Sequence, residues 1–143
     1  MAAFTEADIA KLRRLVGRMI PASGEYAVPG ADDETIFADI IRTLEPQAAL
    51  TQKMLASLDL SLADLPDPRV DAAIQSLLSS AEPALGMILS AVVQCYYRDD
   101  RVMRSLGMDP RPPFPKGFDV EQGDWSLLDP VRARPKIWRD IAS

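Results

Sequence analysis

The run Pro83-Ala84-Leu85-Gly86-Met87-Ile88-Leu89-Ser90-Ala91-Val92-Val93-Gln94-Cys95-Tyr96-Tyr97 decides the fold. Leu85, Ile88, Leu89, Val92, Val93 and Tyr96 recur at i, i+3, i+4, i+7, i+8 and i+11, the spacing of one helical face. Pro83 suits the first turn, where its missing N–H costs nothing. Between Ala84 and Val93 the run is apolar almost all round, which predicts a central helix. It is far short of the ~20 residues that a membrane-spanning helix requires, so a core helix is expected and no insertion into a membrane.

Upstream, four further segments carry the same period. Thr5 opens the first, with Asp8 at the capping-box position. Ile9, Leu12, Val16, Met19 and Ile20 follow, and Pro21 stops the helix. Arg13-Arg14 sits inside this pattern among charged neighbours and reads as a solvated face. Residues 21–32 hold Pro21, Gly24 and Pro29-Gly30 and read as a loop. Asp32 or Asp33 caps the next helix, whose stripe is Ile36, Phe37, Ile40, Ile41 and Leu44. Pro46 restarts the chain into a third, with Leu50, Met54, Leu55 and Leu58 inward. A fourth follows Asp67-Pro68, with Val70, Ile74, Leu77, Leu78 and Ala81 inward. Downstream of Tyr97, Asp100 caps a short helix that Gly107 ends. No segment shows sustained period-two alternation. The expectation is an all-α fold: a small bundle of five to six helices over residues 1–107.

From Met108 the pattern changes. Six of the twelve prolines lie between Pro110 and Pro135. Each residue before a proline is pushed out of the helical region, so Arg111-Pro112-Pro113-Phe114-Pro115 should be extended. Residues 108–143 are therefore expected to form a Pro-rich, aromatic, largely extended C-terminal arm within one domain overall. Its aromatics, Phe114, Phe118, Trp125 and Trp138, argue against disorder.

Composition removes many activities. The chain has 143 residues, with 48% apolar and 26% charged, an ordinary globular balance. A net charge of -5 argues against a nucleic-acid surface. There is no histidine, which removes serine–histidine and cysteine–histidine nucleophile pairs and the commonest zinc and haem ligand. One cysteine removes disulfides and C-x-x-C pairs within the chain. No G-x-G-x-x-G or P-loop sequence occurs. No catalytic, metal or cofactor residues are therefore expected. The start, Met1-Ala2-Ala3-Phe4-Thr5-Glu6-Ala7-Asp8, has no basic stretch followed by an apolar core, so a cytoplasmic protein is expected.

The remaining candidates are recognition residues. Tyr96 is expected to end the buried stripe, whereas Tyr97 is half-buried or partner-facing, with Arg98 beside it. Cys95 is expected to be a buried, inert thiol. Asp32-Asp33-Glu34 reads as helix capping in preference to a metal site. Trp125 is the strongest recognition candidate, with Phe114, Phe118 and Arg111 supporting it. Two readings of Trp125 stand at this point: an anchor in a partner, or a staple of the arm onto its own body.

Three places carry a family resemblance. They are Met19-Ile20-Pro21-Ala22; Val28-Pro29-Gly30-Ala31; and Tyr96-Tyr97-Arg98-Asp99, leading into Arg111-Pro112-Pro113-Phe114-Pro115 and Gly123-Asp124-Trp125. In order and spacing they resemble the small (gamma) subunit of gluconate 2-dehydrogenase and related flavin-dependent membrane dehydrogenases. The resemblance implies a non-catalytic accessory subunit. It would bind and stabilise a large flavoprotein of the glucose-methanol-choline oxidoreductase class, acting on sugars, sugar acids or alcohols. It implies FAD in that partner and none in this chain, with a cytochrome c subunit often accepting the electrons. Family members commonly carry a twin-arginine signal. This sequence departs from that, so a periplasmic location would need export with a partner. The alternative function is a standalone helical ligand-binding or interaction protein with a self-docking tail.

Overall fold

The computed structural model describes residues 4–59, 61–80, 82–112, 114–117 and 121–135. All regular elements among them are helical, apart from one isolated bridge between Ser23 and Val28. The chain divides into two units, Met1–Pro110 and Arg111–Ser143.

The first unit is a bundle of α1 (Glu6–Met19), α2 (Glu34–Leu44), α3 (Ala48–Ala56), α4 (Asp67–Ser79), α5 (Pro83–Arg98) and α6 (Asp100–Ser105). Short 3-10 turns at Glu45–Gln47 and Leu62–Asp64 join them. Local chemistry sets the ends. Thr5 and Asp8 form a reciprocal capping box, with Asp8 N–H donating to Thr5 Oγ1 at 3.2 Å and Thr5 N–H to Asp8 Oδ2 at 3.0 Å. Asp33 caps α2 by accepting from the Thr35 amide at 3.1 Å. Asp99, not Asp100, caps α6, accepting from Arg101 N–H at 2.9 Å. Gly107, at φ +75°, ends α6 with a Schellman pair: Met108 N–H to Met103 O at 3.0 Å and Gly107 N–H to Arg104 O at 3.0 Å.

The core runs along the inner faces. Leu12, Leu15 and Val16 of α1 meet Ile36, Phe37, Ile40 and Leu44 of α2, Met54 and Leu55 of α3, Val70 and Leu77 of α4, and Leu85, Ile88, Val92 and Tyr96 of α5. α5 packs on α2, α3 and α6; α1 packs on α3, α4 and the Leu62–Asp64 turn. The burial phase differs from expectation at three leucine and valine positions. Leu50, Leu78 and Val93 are exposed. Each lies next in sequence to a buried residue (Thr51, Leu77 and Val92), about 100° round the helix. α5 therefore contacts three helices yet keeps an open side at Gly86, Ser90, Val93 and Gln94. Ala81 lies outside the described residues.

Three cations of α1, Lys11, Arg14 and Arg18, tie it to α3 and α4. Lys11 of α1 is only 5% exposed, and its ammonium donates to Leu55 O at 3.0 Å and Leu58 O at 3.4 Å, serving the C-terminal end of α3. Arg18 grips Asp71 of α4 in a bidentate pair, 2.8 and 2.7 Å, and reaches Asp67 at 2.7 Å. Arg14, expected on a solvated face, instead bonds Asp67 at 2.6 Å and Leu65 O at 2.8 Å from a half-buried position. Arg13 does remain exposed; it stacks on Phe37 at 4.3 Å and donates to Asp32 O at 2.9 Å.

The loop of residues 20–33 folds back on α1. Ala31 N–H donates to Ile20 O at 2.9 Å. Gly30 is required there, because a Cβ would stand 2.9 Å from the Ala22 amide nitrogen and 3.2 Å from Ile20 O.

In the second unit the expected extended arm is not extended throughout. Trp125–Leu128 forms a 3-10 turn that runs into the single-turn helix α7 (Asp129–Arg132). The residue before Pro130 is Asp129, the first residue of α7. A proline tolerated in a first turn therefore extends a helical stretch instead of preventing one. Arg111 folds over its own segment, donating to Gly117 O at 2.7 Å, and the Phe114–Pro115 peptide is cis. Pro113, Phe118 and Trp138 lie outside the described residues.

No single helix among the described residues is long and apolar enough to cross a membrane.

Candidate interaction surfaces

The six residues singled out for recognition fall in both units. Tyr97 and Arg98 stand at the C-terminal end of α5; Arg111, Phe114 and Trp125 belong to the second unit, and Phe118 lies outside the described residues.

At the end of α5, a single residue step, about 100° round the helix, separates two fates for neighbouring tyrosines. Tyr96 is 5% exposed, and its hydroxyl donates to Pro29 O at 3.2 Å, tying α5 to the 20–33 loop. Burial, then the neighbouring Tyr97 and Asp99, push its phenol above the ordinary value, so it stays a neutral donor. Tyr97 is 52% exposed and meets Tyr96 edge-to-face, ring centroids 5.3 Å apart. The two rings, with Tyr26, Val28, Val102, Ser105 and Leu106, line an apolar groove of about 220 Å³. Tyr26 and Leu106 are exposed beside it. Arg98 points the other way, to Asp39 of α2 at 3.1 Å.

Cys95 is buried, its sulfur 3.4 Å from Thr43 Oγ1 and 3.8 Å from an Arg98 nitrogen. Of the acidic run, Asp33 is engaged twice, as the cap of α2 and in a pair with Arg101 at 2.6 Å. Arg101 also binds Asp99 at 3.0 Å, so one guanidinium joins the start of α2 to the start of α6. The Arg101 hydrogen bonds hold both carboxyls below the usual carboxylate range, and the guanidinium's own value is raised in turn. Asp33 is therefore structural. The sequence could have shown the cap; it could not show Arg101, 68 residues away.

Two grooves that the sequence did not suggest flank the open side of α5. One, of about 530 Å³, runs between Thr43, Gln47, Gly86, Ser90 and Gln94; the other, of about 310 Å³, between Leu78, Glu82, Pro83 and Leu89. Gly86 touches both.

In the second unit the two described aromatic side chains are outward: Phe114 is 85% exposed and Trp125 60%. Leu127, Leu128 and Val131 are exposed with them. Asp124 caps this stretch, its Oδ1 accepting from the Ser126 amide at 3.0 Å and the Ser126 hydroxyl at 2.6 Å. Those two bonds hold its carboxyl below the usual range.

Among the described residues no three acidic or thiol side chains converge as a metal-ligand set. In comparisons with known proteins, the chain matches no family model, no curated protein and no solved structure. What the geometry itself defines is an all-α bundle followed by a second unit whose described large apolar side chains, Phe114, Trp125, Leu127, Leu128 and Val131, are exposed.

Proposed function

We propose that this chain is a non-catalytic accessory subunit that binds and stabilises an FAD-dependent dehydrogenase acting on sugars, sugar acids or alcohols. The observation that carries the reading is the outward set Phe114, Trp125, Leu127, Leu128 and Val131 in one short C-terminal stretch. Large apolar side chains grouped on a surface mark interaction sites, and tryptophan is the residue most enriched in binding hot spots. The bundle contributes Tyr97, with the groove beside it, as a second apolar surface. The class of partner rests on the family resemblance of the Tyr96–Asp99, Arg111–Pro115 and Gly123–Trp125 elements. The flavin then belongs to the partner, and a cytochrome c subunit is the expected electron acceptor. The compartment follows the partner: cytoplasmic for a resident complex, periplasmic if the partner carries the export signal.

Co-expression of the tagged chain with a candidate large flavoprotein of the glucose-methanol-choline oxidoreductase class tests the reading. Recovery of a flavin-coloured complex on the tag is expected. A purified chain that binds flavin alone and oxidises a sugar or alcohol with a dye acceptor would overturn it.

A further inference from the structure

We infer that residues 124–132 form a self-capped helical plug, and that Trp125, Leu128 and Val131 together enter an apolar groove on the partner protein. The inference rests on the accessory-subunit reading and specifies how such a subunit would hold its partner.

Periodicity selects the residues. In a 3-10 turn there are three residues per turn, so side chains at i and i+3 eclipse. Trp125 and Leu128 begin and end the 3-10 turn and share a side. Val131 follows three residues later in α7, so the row continues. Leu127, although the most exposed of the four, is off that row. An extended strand would alternate with period two instead, and would place Trp125 and Leu127 on one face with Leu128 opposite.

The plug is shaped by short-range bonds. Asp124 accepts from Ser126; Leu127 N–H reaches Asp124 O at 3.3 Å, Ala133 N–H reaches Asp129 O at 2.9 Å, and Arg132 pairs with Asp129 at 3.3 Å. Pro130 adds a pre-set φ within the first turn of α7. A segment ordered by its own cap and proline loses less entropy when it docks. Its apolar row is too short to close a core of its own, which suits the helix-in-groove mode of recognition.

Charge selects the occupant. Asp124 and Asp129 stand toward the N-terminal end, Arg132 and Arg134 toward the C-terminal end. The fitting groove has an apolar floor, with carboxylates where Arg132 and Arg134 arrive. A lipid surface fits less well: residues 121–135 hold three carboxylates against two guanidiniums, whereas surface-binding segments are basic.

The test uses the full chain co-expressed with the flavoprotein, with single alanine variants at Trp125, Leu127, Leu128 and Val131. Loss of at least tenfold in affinity for Trp125→Ala and Leu128→Ala, a smaller loss for Val131→Ala, and wild-type binding for Leu127→Ala are expected. Loss at Leu127 with Leu128 neutral overturns the helical plug and leaves the accessory reading standing. Unaltered binding in all four, or a lowered melting temperature in Trp125→Ala with unaltered binding, overturns the plug as well. Retention of the chain on phosphatidylcholine–phosphatidylglycerol vesicles, lost in the same variants, would make lipid the occupant and overturn the protein groove. A wild-type chain that does not hold the flavoprotein overturns the accessory reading, and the plug with it.

Discussion

Replacing Lys11 by methionine tests how the bundle holds the end of α3. Methionine keeps most of the lysine stem and removes the ammonium. Leu55 O then keeps its backbone bonds from the Ser57 amide and, at 3.3 Å, the Leu58 amide but loses the 3.0 Å bond from the ammonium, and Leu58 O loses the 3.4 Å one. Hydrogen bonds from a charged donor contribute roughly 1.5–3 kcal/mol net. Burying the ammonium carries a desolvation cost that the variant also removes. The two carbonyl bonds set the sign, and a loss of about 2 kcal/mol follows, equivalent to about 4–8 °C in melting temperature at this chain length. Thermal unfolding followed by circular dichroism reads the global effect. Hydrogen exchange reads the local one: the Ser57 and Leu58 amides should exchange faster in Lys11→Met than amides of α2 do. A variant that melts at or above the wild-type temperature, with unchanged exchange at Ser57 and Leu58, would refute the assignment of Lys11 as the cap of α3.

Two glycines should respond oppositely to alanine in the same melting assay. Gly86 is inside α5 with nothing within 4 Å of a new Cβ, so Gly86→Ala should stabilise by about 1 kcal/mol. Gly107 holds φ +75°, so Gly107→Ala should destabilise by about 1 kcal/mol despite open space around it. Arg101→Gln should lower the melting temperature at neutral pH. Because Asp33 and Asp99 titrate below their unfolded values, their contribution is present above about pH 4 and is lost as pH falls through the folded values, so the gap to wild type should close in acid. A chain ending at Pro110 should keep helical circular dichroism and a cooperative melt, since the core residues belong to the first unit; loss of cooperativity would assign the C-terminal unit to the fold.

The helical bundle was legible because each stripe repeats with a helical period and each start carries a capping side chain or a nearby proline. Thr5 with Asp8, Asp33 and Gly107 all act as their positions suggested. Residues whose role is set by distant partners were not legible. Arg14 read as part of a solvated face until α4 arrives beside it, and nothing in the sequence marked Lys11, which α3 engages. Leu50, Leu78 and Val93 satisfy a helical spacing, yet the phase of burial is set by which helix packs where. In α3 a buried Thr51 took the inward position next to Leu50. For the candidate surfaces, the sequence pointed to Trp125, Phe114, Phe118, Arg111, Tyr97 and Arg98; Trp125, Phe114, Tyr97 and Arg98 are exposed, Arg111 is half-buried and donates to Gly117 O, and Phe118 lies outside the described residues. It could not point to Leu128 or Val131, because a proline-rich composition suggests extension and hides the 3-10 period.

The most direct measurement of the central claim is size-exclusion chromatography with light scattering on the chain co-expressed with the large flavoprotein. One species is expected whose mass sums both chains and which carries the flavin's visible absorbance, and Trp125→Ala is expected to separate that species into two. Elution of the wild-type chain apart from a stable, active flavoprotein would contradict the claim.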